Sequence, residues 1–265
     1  MISSLLYDLN HAPIWQRGIR VWDHRIRAAS LDRLVFLALH RAGLMGREEM
    51  PLLEKLVEPG MQILDVGANI GLYTLLLARL TGEAGRVFAF EPEPNLFSVL
   101  CENCAANNAV NVTPFQCAAG DANGRATFQR ATFNSGDNRL GGSKPGAQSI
   151  EVEVARLDEV LPVQTVQFIK LDVQGHELGA LTGMHRVLES SPDVRVLFEF
   201  WPTGLRAANA SPESLFKFFQ ERGFLIYELE KGQARTLETP VSVVSKLGEK
   251  RYTNLLASRR PLPPL

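Results

Sequence analysis

The chain has 265 residues, with 28 Lys and Arg against 29 Asp and Glu and a formal net charge of −1. Its composition, 45% hydrophobic, 22% charged and 8% aromatic, is that of an ordinary globular protein and excludes a disordered, collagen-like or disulfide-stapled chain. The balanced charge excludes a bulk nucleic-acid binder. Three cysteines, no long apolar run and no basic leader favour a cytoplasmic protein with reduced thiols and no membrane span.

Residues 1–58 are charged and show no strand alternation, so they are predicted to form a helical N-terminal extension. Apolar residues recur there every three or four positions, as on one face of a helix: Leu31, Leu34, Val35, Ala38, Leu39 and Ala42. A second helix is predicted from about Glu48 to Val57. The Arg-rich stretch 17–33 is interpreted as a solvated helical face.

After Gly60 the sequence alternates between strand and helix patterns. The predicted strands are 61–66, 86–91, 111–118, 166–171 and 194–200, with later runs at 224–229 and about 252–258 as edge strands. The predicted helices are 70–80, 94–107, one carrying Leu178, Leu181, Met184 and Leu188, and one that starts at Ser211 and Pro212. This alternation is typical of a doubly wound, parallel α/β sheet. We expect one domain over 59–260 and a short tail at 261–265.

The first motif, Asp65-Val66-Gly67-Ala68-Asn69-Ile70-Gly71, joins the first of these strands to its helix. Gly67 and Gly71 allow close approach, because a Cβ there would collide with a ligand or a helix. Asn69 replaces the second glycine of a dinucleotide-binding motif, and the G-K-[ST] of a phosphate-binding loop is missing. The carboxylate of Asp65 suits a ligand with a cationic group. The alternative is a simple tight turn.

Two further acids follow strands of the predicted sheet. Glu91 lies 26 residues after Asp65, near the offset at which an acid binds ribose hydroxyls; alternatively it is a helix N-terminal acid before Pro94. Asp172 ends the strand in the segment 169–177 and is expected at the same sheet edge.

Other candidates carry a structural alternative of equal or greater weight. His176 and Glu177 also fit an ordinary helix start, and Glu199 fits either an acceptor site or a satisfied strand end. Cys101 and Cys104 lie on a helix without a second pair, so no metal site is predicted.

Together, DVGANIG, FEP, CAAGD (117–121) and KLDVQGHE with Leu181 and Gly183 resemble the FkbM family of S-adenosylmethionine (SAM)-dependent methyltransferases. The resemblance covers about 60–200. It implies a Rossmann-like class I methyltransferase fold, with a seven-stranded, mainly parallel sheet, helices on both faces and an antiparallel last hairpin. It also implies transfer of the SAM methyl group, usually to a hydroxyl.

The resemblance assigns roles position by position. The residues assigned to the methionine part of SAM are Asp65, Gly67, Ala68, Asn69 and Gly71. Glu91 would hold the ribose, Ala118 would approach the adenine, and Asp172 would face the methionine end and the acceptor. The candidate catalytic residues are Asp172, His176 and Glu199. Gln174 stands where family members often have Glu.

We therefore expect a SAM-dependent enzyme that methylates oxygen on a small molecule, a sugar or a polyketide-like natural product. Transfer to nitrogen and a non-catalytic SAM-fold binding protein remain as alternatives, and Asn69 disfavours a dehydrogenase. The glycine-rich segment 134–146, too permissive for regular structure, is predicted to be a mobile gate over the acceptor pocket. Its Asp137, Asn138 and Arg139 would contact hydroxyl groups of the acceptor.

Overall fold

The computed structural model describes residues 18–29, 49–131, 135–141, 148–230, 233–248 and 251–262, with four helical positions between them, Arg33, Phe36, His40 and Arg41. In these ranges the strands are β1 (Ile19–Val21), β2 (His24–Ile26), β3 (Gln62–Val66), β4 (Arg86–Phe90), β5 (Val112–Phe115), β6 (Ala118–Ala119), β7 (Gly124–Arg130), β8 (Arg139–Leu140), β9 (Gln148–Ala155), β10 (Phe168–Leu171), β11 (Arg195–Phe200), β12 (Leu225–Glu230), β13 (Gln233–Leu237) and β14 (Thr253–Ser258). The α-helices are α1 (Glu49–Leu56), α2 (Leu72–Thr81), α3 (Pro94–Ala106), α4 (Leu157–Val160), α5 (Glu177–Gly183), α6 (His185–Ser190), α7 (Pro202–Ala207), α8 (Pro212–Gln220) and α9 (Val241–Leu247).

The central sheet has the strand order β13-β12-β14-β11-β10-β3-β4-β5. Strands β5, β4, β3, β10 and β11 run parallel, and β14 inserts antiparallel between β11 and β12. This is the expected class I methyltransferase sheet of seven strands, so the fold prediction is confirmed. The described chain adds an eighth strand, β13, at the edge. The prediction that 224–229 and 252–258 form edge strands is wrong, because β12 and β14 are each paired on both sides.

The strands read as apolar runs because helices cover both faces of the sheet. All four residues of β10 are buried, as are the last four of β3 and of β4. On one face, Phe198 lies against Phe219 of α8 with their ring centroids 4.9 Å apart. This packing fixes the strands of the core in register and so fixes what lies at their ends.

A second sheet, β6-β9-β7-β8, follows the third parallel strand. Its two long strands, β7 and β9, pair antiparallel. The expectation that the glycine-rich segment lacks regular structure is wrong at β8, because Leu140 and Arg139 pair with Phe128 and Gln129 on β7. Residues 132–134 and 142–147 lie outside the described ranges.

The expectation of helix throughout 1–58 is wrong at 19–26, where β1 and β2 form an antiparallel hairpin. In this hairpin Ile19, Val21 and Ile26 are buried while the intervening arginines are exposed, so Arg20 and Arg25 do not lie on a helical face. The second predicted helix is confirmed as α1. The predicted apolar helix face at Leu31, Leu34, Val35, Ala38, Leu39 and Ala42 lies outside the described residues.

The hairpin segment is fastened to α3 by the buried amide of Asn103. Its nitrogen donates to the backbone oxygens of Arg27 (3.0 Å) and Ile70 (2.8 Å), and its oxygen accepts from the backbone nitrogen of Arg27 (2.8 Å). The described hairpin segment therefore packs against α3 and its neighbours through both apolar and polar contacts. No helix in the described ranges is long and apolar enough to cross a bilayer.

Candidate functional site

The carboxyl ends of β3, β4 and β10 form one edge. In the register of the sheet Val66 pairs with Phe90 on one side and with Leu171 on the other. The residues that follow these strands, Gly67, Glu91 and Asp172, therefore lie side by side. Backbone bonds hold them there, since Gly67 donates to the oxygen of Phe90 (3.0 Å) and Asp172 to that of Val66 (2.9 Å).

The turn after β3 uses left-handed backbone at three positions, with φ of 89° at Gly67, 52° at Asn69 and 88° at Gly71. A Cβ on Gly67 would lie 1.9 Å from the carbonyl oxygen of Asp172. A Cβ on Gly71 would lie 2.6 Å from a methyl carbon of Leu100 on α3. The collision expected for Gly71 is thus with a helix, whereas that for Gly67 is with the neighbouring strand end.

Glu91 is a buried carboxylate on the β4 side of this edge, with 4% of its surface exposed. One carboxylate oxygen accepts from the backbone nitrogen of Asn69 and the other from that of Glu93, both at 2.9 Å. Burial raises the pKa of Glu91 to about 7. The helix-cap alternative belongs to Glu93 instead, whose side chain accepts from the backbone nitrogen of Leu96 at the start of α3.

A cavity opens at this edge of the sheet, beside the turn that follows β3. One end is apolar and includes Leu96, Ala118 and Phe128. The polar lining comprises Asn69, Glu91, Ser135, Asn138, Arg139, Asp172 and Gln174. Of the positions assigned to the cofactor, Gly67, Asn69, Glu91, Ala118 and Asp172 line this cavity; Asp65, Ala68 and Gly71 do not.

Asp65 lies two residues deeper in the sheet than the acids at the edge. It pairs with Ala89 and Lys170, and its side chain accepts from the hydroxyl of Thr74 at 2.6 Å. It is fully buried, and burial raises its pKa. The expected position of Asp65 at the same edge as Glu91 and Asp172 is not seen, because the residue lies two positions before Gly67 and its side chain bonds to Thr74 on α2. Its role at the methionine part of SAM stays a prediction.

Asp172 is the centre of a polar network. Its two oxygens accept from Lys170 Nζ (3.0 Å) and from Gln174 Nε2 (3.1 Å). The same amide nitrogen of Gln174 donates to Glu199 Oε1 at 3.1 Å. Burial lowers the pKa of Lys170, but the carboxylates of Asp172 and Asp65 outweigh burial and the pKa is raised. Lys170 is therefore a cation held between two acids.

Glu199 lies behind Gln174 and does not line the cavity. It is 4% exposed, and burial, followed by the charges of Asp172 and Glu177, raises its pKa well above the usual value. His176 also stands back from the cavity, with Nε2 2.7 Å from the carbonyl oxygen of Leu140. Of the three candidate catalytic residues, the structure brings Asp172 alone into the lining.

The segment 135–141 forms one wall of the cavity. The amide of Asn69 donates to the hydroxyl of Ser135 (3.0 Å), and Asn138 Oδ1 accepts from the backbone nitrogen of Ala131 (2.7 Å). Asn138 and Arg139 line the cavity, whereas Asp137 lies in a short 3₁₀ turn, Ser135–Asp137. The predicted acceptor segment is thus adjacent to the predicted cofactor loop.

The sequence did not lead us to two features of this site, the buried Lys170 and the contact between Asn69 and Ser135. A lysine inside the otherwise apolar strand β10 was the available signal, because such a charge is buried only with partners. The contact between residues 69 and 135 has no counterpart in any local pattern.

Glu177 gives the site a pH dependence that can be measured. It is fully buried, accepts from the backbone nitrogen of Gly175 (3.1 Å) and has its pKa raised by burial to about 7. Because the unfolded carboxyl ionises near 4.5, the folded state holds more protons between that pH and about 7. The free energy of unfolding should therefore fall as the pH rises through this interval, by up to about 3 kcal/mol for this group.

Denaturant titrations across this interval, on the wild type and on Glu177→Gln, check this expectation. The substitution keeps the accepting oxygen and removes the ionisation, so the fall should become shallower. Glu83→Gln, at an exposed position, should leave the slope unchanged. An equal slope for wild type and Glu177→Gln would contradict the assignment.

A family model described as the methyltransferase FkbM domain matches residues 65–226. The chain belongs to the FkbM family of SAM-dependent methyltransferases. The match begins at the strand end that precedes Gly67 and includes Glu91, Asp172 and Glu199. SAM is thus the cofactor of this family member, as expected from the motifs.

Three relatives are similar over about half of the chain. "Methyltransferase sdnD" from Sordaria araneosa is 31% identical over 54% of this chain and 68% of its own length. "Hexuronic acid methyltransferase AglP" from Haloferax volcanii is 32% identical over 48% and 51%, respectively. "31-O-demethyl-FK506 methyltransferase FkbM" from Streptomyces tacrolimicus is 31% identical over 48% and 61%. The chain therefore matches between 51% and 68% of the lengths of these relatives.

Proposed function

We propose that this FkbM-family protein transfers the methyl group of SAM to a hydroxyl of a small molecule, a sugar or a polyketide-like natural product. The observation that carries the proposal is the cavity at the strand ends, where Glu91 and Asp172 flank the Gly67 turn. Two similar proteins support the acceptor class, since their names refer to a hexuronic acid and to a demethylated FK506.

The lining fits SAM, which carries an adenine, a ribose and an amino acid but no phosphate. The apolar end with Leu96 and Ala118 suits the adenine, and Glu91 keeps lone pairs beside its two backbone bonds for ribose hydroxyls. When bound, SAM supplies a methyl group that is already activated by the positive sulfur.

The chain must then orient the acceptor hydroxyl and remove its proton. Asp172 is our proposed proton acceptor, since it lines the cavity and its side chain is 35% exposed. Lys170 and Gln174 fix the carboxylate by one bond to each oxygen. Glu199, which bonds to Gln174, would act as a positioning residue for Asp172. In the same view, His176 would hold the backbone of Leu140 at the cavity wall.

The test is transfer of a radiolabelled methyl group from SAM to a panel containing a hexuronate, a macrolide that lacks one O-methyl group, and matched primary amines. We expect transfer to a hydroxyl acceptor, and Asp172→Asn should lower its rate by about 100-fold or more. Asp193→Asn, before β11 at the opposite edge of the sheet, should retain the rate. Transfer to amines alone, or binding of SAM without turnover of any acceptor, would overturn the proposal.

A further inference from the structure

Arg139 is the one basic residue among the described residues that line the cavity. The two carboxylic acids that share this lining are Glu91 and Asp172. Lys170 lies close by, but its charge is already matched by Asp172 at 3.0 Å. Arg139 is thus a cation that lines the cavity and is not matched by either acid of the lining.

The guanidinium of Arg139 is positioned by an aromatic ring and not by a carboxylate. Its central carbon lies 5.6 Å from the ring centroid of Trp201, a distance at which a cation is attracted to the face of an indole. Within the described part of the chain Arg139 forms no ion pair. An arginine held in this way keeps its fork of N–H donors available for a planar anion.

The support on both sides of this contact is rigid. A Cβ on Gly204 would lie 2.1 Å from the indole of Trp201, so the ring packs directly on that glycine. On the other side, β8 fixes the backbone of Arg139 by pairing with Gln129, and His176 binds the carbonyl of the next residue, Leu140. The guanidinium is thus presented from a defined strand, over a defined ring.

The position of Trp201 in the sheet shows toward which end of the cavity the guanidinium of Arg139 lies. Trp201 follows β11, which adjoins β10 on the side away from β3 and β4. Arg139 therefore lies toward the Asp172 end, away from Glu91, where the proposed ribose would bind. Under the proposed function, this is the end that receives the amino-acid part of SAM and the acceptor.

We propose that Arg139 is a carboxylate-binding residue of the cavity, which pairs with the carboxylate of the methionine part of SAM or with a carboxylate on the acceptor. The inference rests on the proposed function for the orientation of SAM. It replaces the expected contact of Arg139 with neutral hydroxyl groups by a contact with an anion. The cation also offsets the two acids of the lining, which by themselves would repel any anionic ligand.

The experiment compares wild type with Arg139→Gln and, as the conservative variant, Arg139→Lys. Calorimetry measures binding of S-adenosylhomocysteine (SAH), which has the carboxylate, and of 5′-methylthioadenosine, which lacks it. Ligand-observed NMR on SAH-saturated protein then measures binding of glucuronate and of its neutral counterpart, glucose. Arg125→Gln, which removes an equal charge from an exposed ion pair with Glu153 on the second sheet, is the matched control.

If the carboxylate is that of SAM, Arg139→Gln should weaken SAH binding by roughly 10- to 100-fold and leave methylthioadenosine unchanged. If it is that of the acceptor, SAH affinity should be unchanged and a preference for glucuronate over glucose should disappear. Arg139→Lys should restore part of the lost binding, and Arg125→Gln should behave as wild type.

The proposal is overturned if SAH binds equally to wild type and Arg139→Gln while glucuronate binds no better than glucose to either. It is also overturned if SAH and methylthioadenosine lose affinity equally, since the side chain would then act only on the shape of the cavity. Failure of wild type to bind SAH and methylthioadenosine at all would instead contradict the proposed function.

Discussion

Gly67→Ala should abolish measurable SAH binding and lower the free energy of unfolding by about 3–5 kcal/mol. The added Cβ would lie 1.9 Å from the carbonyl oxygen of Asp172. The backbone fixes the position of a Cβ, and the carbonyl is itself backbone, so no rotation of a side chain relieves the overlap. The strand ends would have to separate, and this would displace Glu91 and Asp172 from the same edge. Calorimetric titration with SAH and a denaturant titration measure the two effects.

Gly60→Ala is the matched control for this variant. Gly60 has the same φ of 89°, but a Cβ there would meet nothing within 4 Å. The free energy of unfolding of Gly60→Ala should fall only by the backbone strain, about 1–2 kcal/mol, and SAH binding should stay intact. If the two variants lose the same stability and both bind SAH, then the close approach of the strand ends is not what requires glycine at 67.

Glu91→Ala should weaken SAH binding by about 2–3 kcal/mol, which is roughly 30- to 150-fold. The reason is the loss of two accepting oxygens that face the proposed ribose. The same change removes the acceptors of the Asn69 and Glu93 backbone nitrogens, so the turn after β3 should loosen as well. Calorimetry with SAH checks the affinity, and Glu91→Gln, which keeps one oxygen, should lie between wild type and Glu91→Ala.

Glu93→Ala separates binding from stability. Glu93 is equally buried, at 3% exposed, but it caps α3 and pairs with Arg130 and does not line the cavity. Its loss should lower the free energy of unfolding by about 1–2 kcal/mol, as for other N-caps, with little change in SAH affinity. Equal losses of affinity in Glu91→Ala and Glu93→Ala would argue that Glu91 acts only through the fold.

Two errors of sequence interpretation have the same origin. The hairpin Ile19–Ile26 consists of two strands of three residues, too short for alternation to be recognised among arginines. The strand Arg139–Leu140 has two residues and exists because the edge of β7 offers backbone partners. In both places backbone pairing between two short neighbouring strands decided the structure, while the residue pattern predicted a helix or an irregular loop.

The sequence by itself determined the order of the elements of the central sheet and the residues at its functional edge. Parallel strands end on one side, so Glu91 and Asp172, each placed directly after an apolar run, had to meet beside Gly67. The family motifs are stretches of the same local kind, which is why the methyltransferase fold and its cofactor could be predicted.

Only the tertiary structure decided which of the predicted residues face the cavity. The register pairs Asp65 with Ala89, which places it inside the sheet and beside Lys170. Glu199 is separated from the cavity by Gln174. Arg139 lies at the cavity wall because its strand pairs with β7 and its guanidinium packs on Trp201, which is distant in sequence. Such placements depend on the pairing of distant strands and on the direction of each side chain, and neither is encoded in the pattern around a single residue.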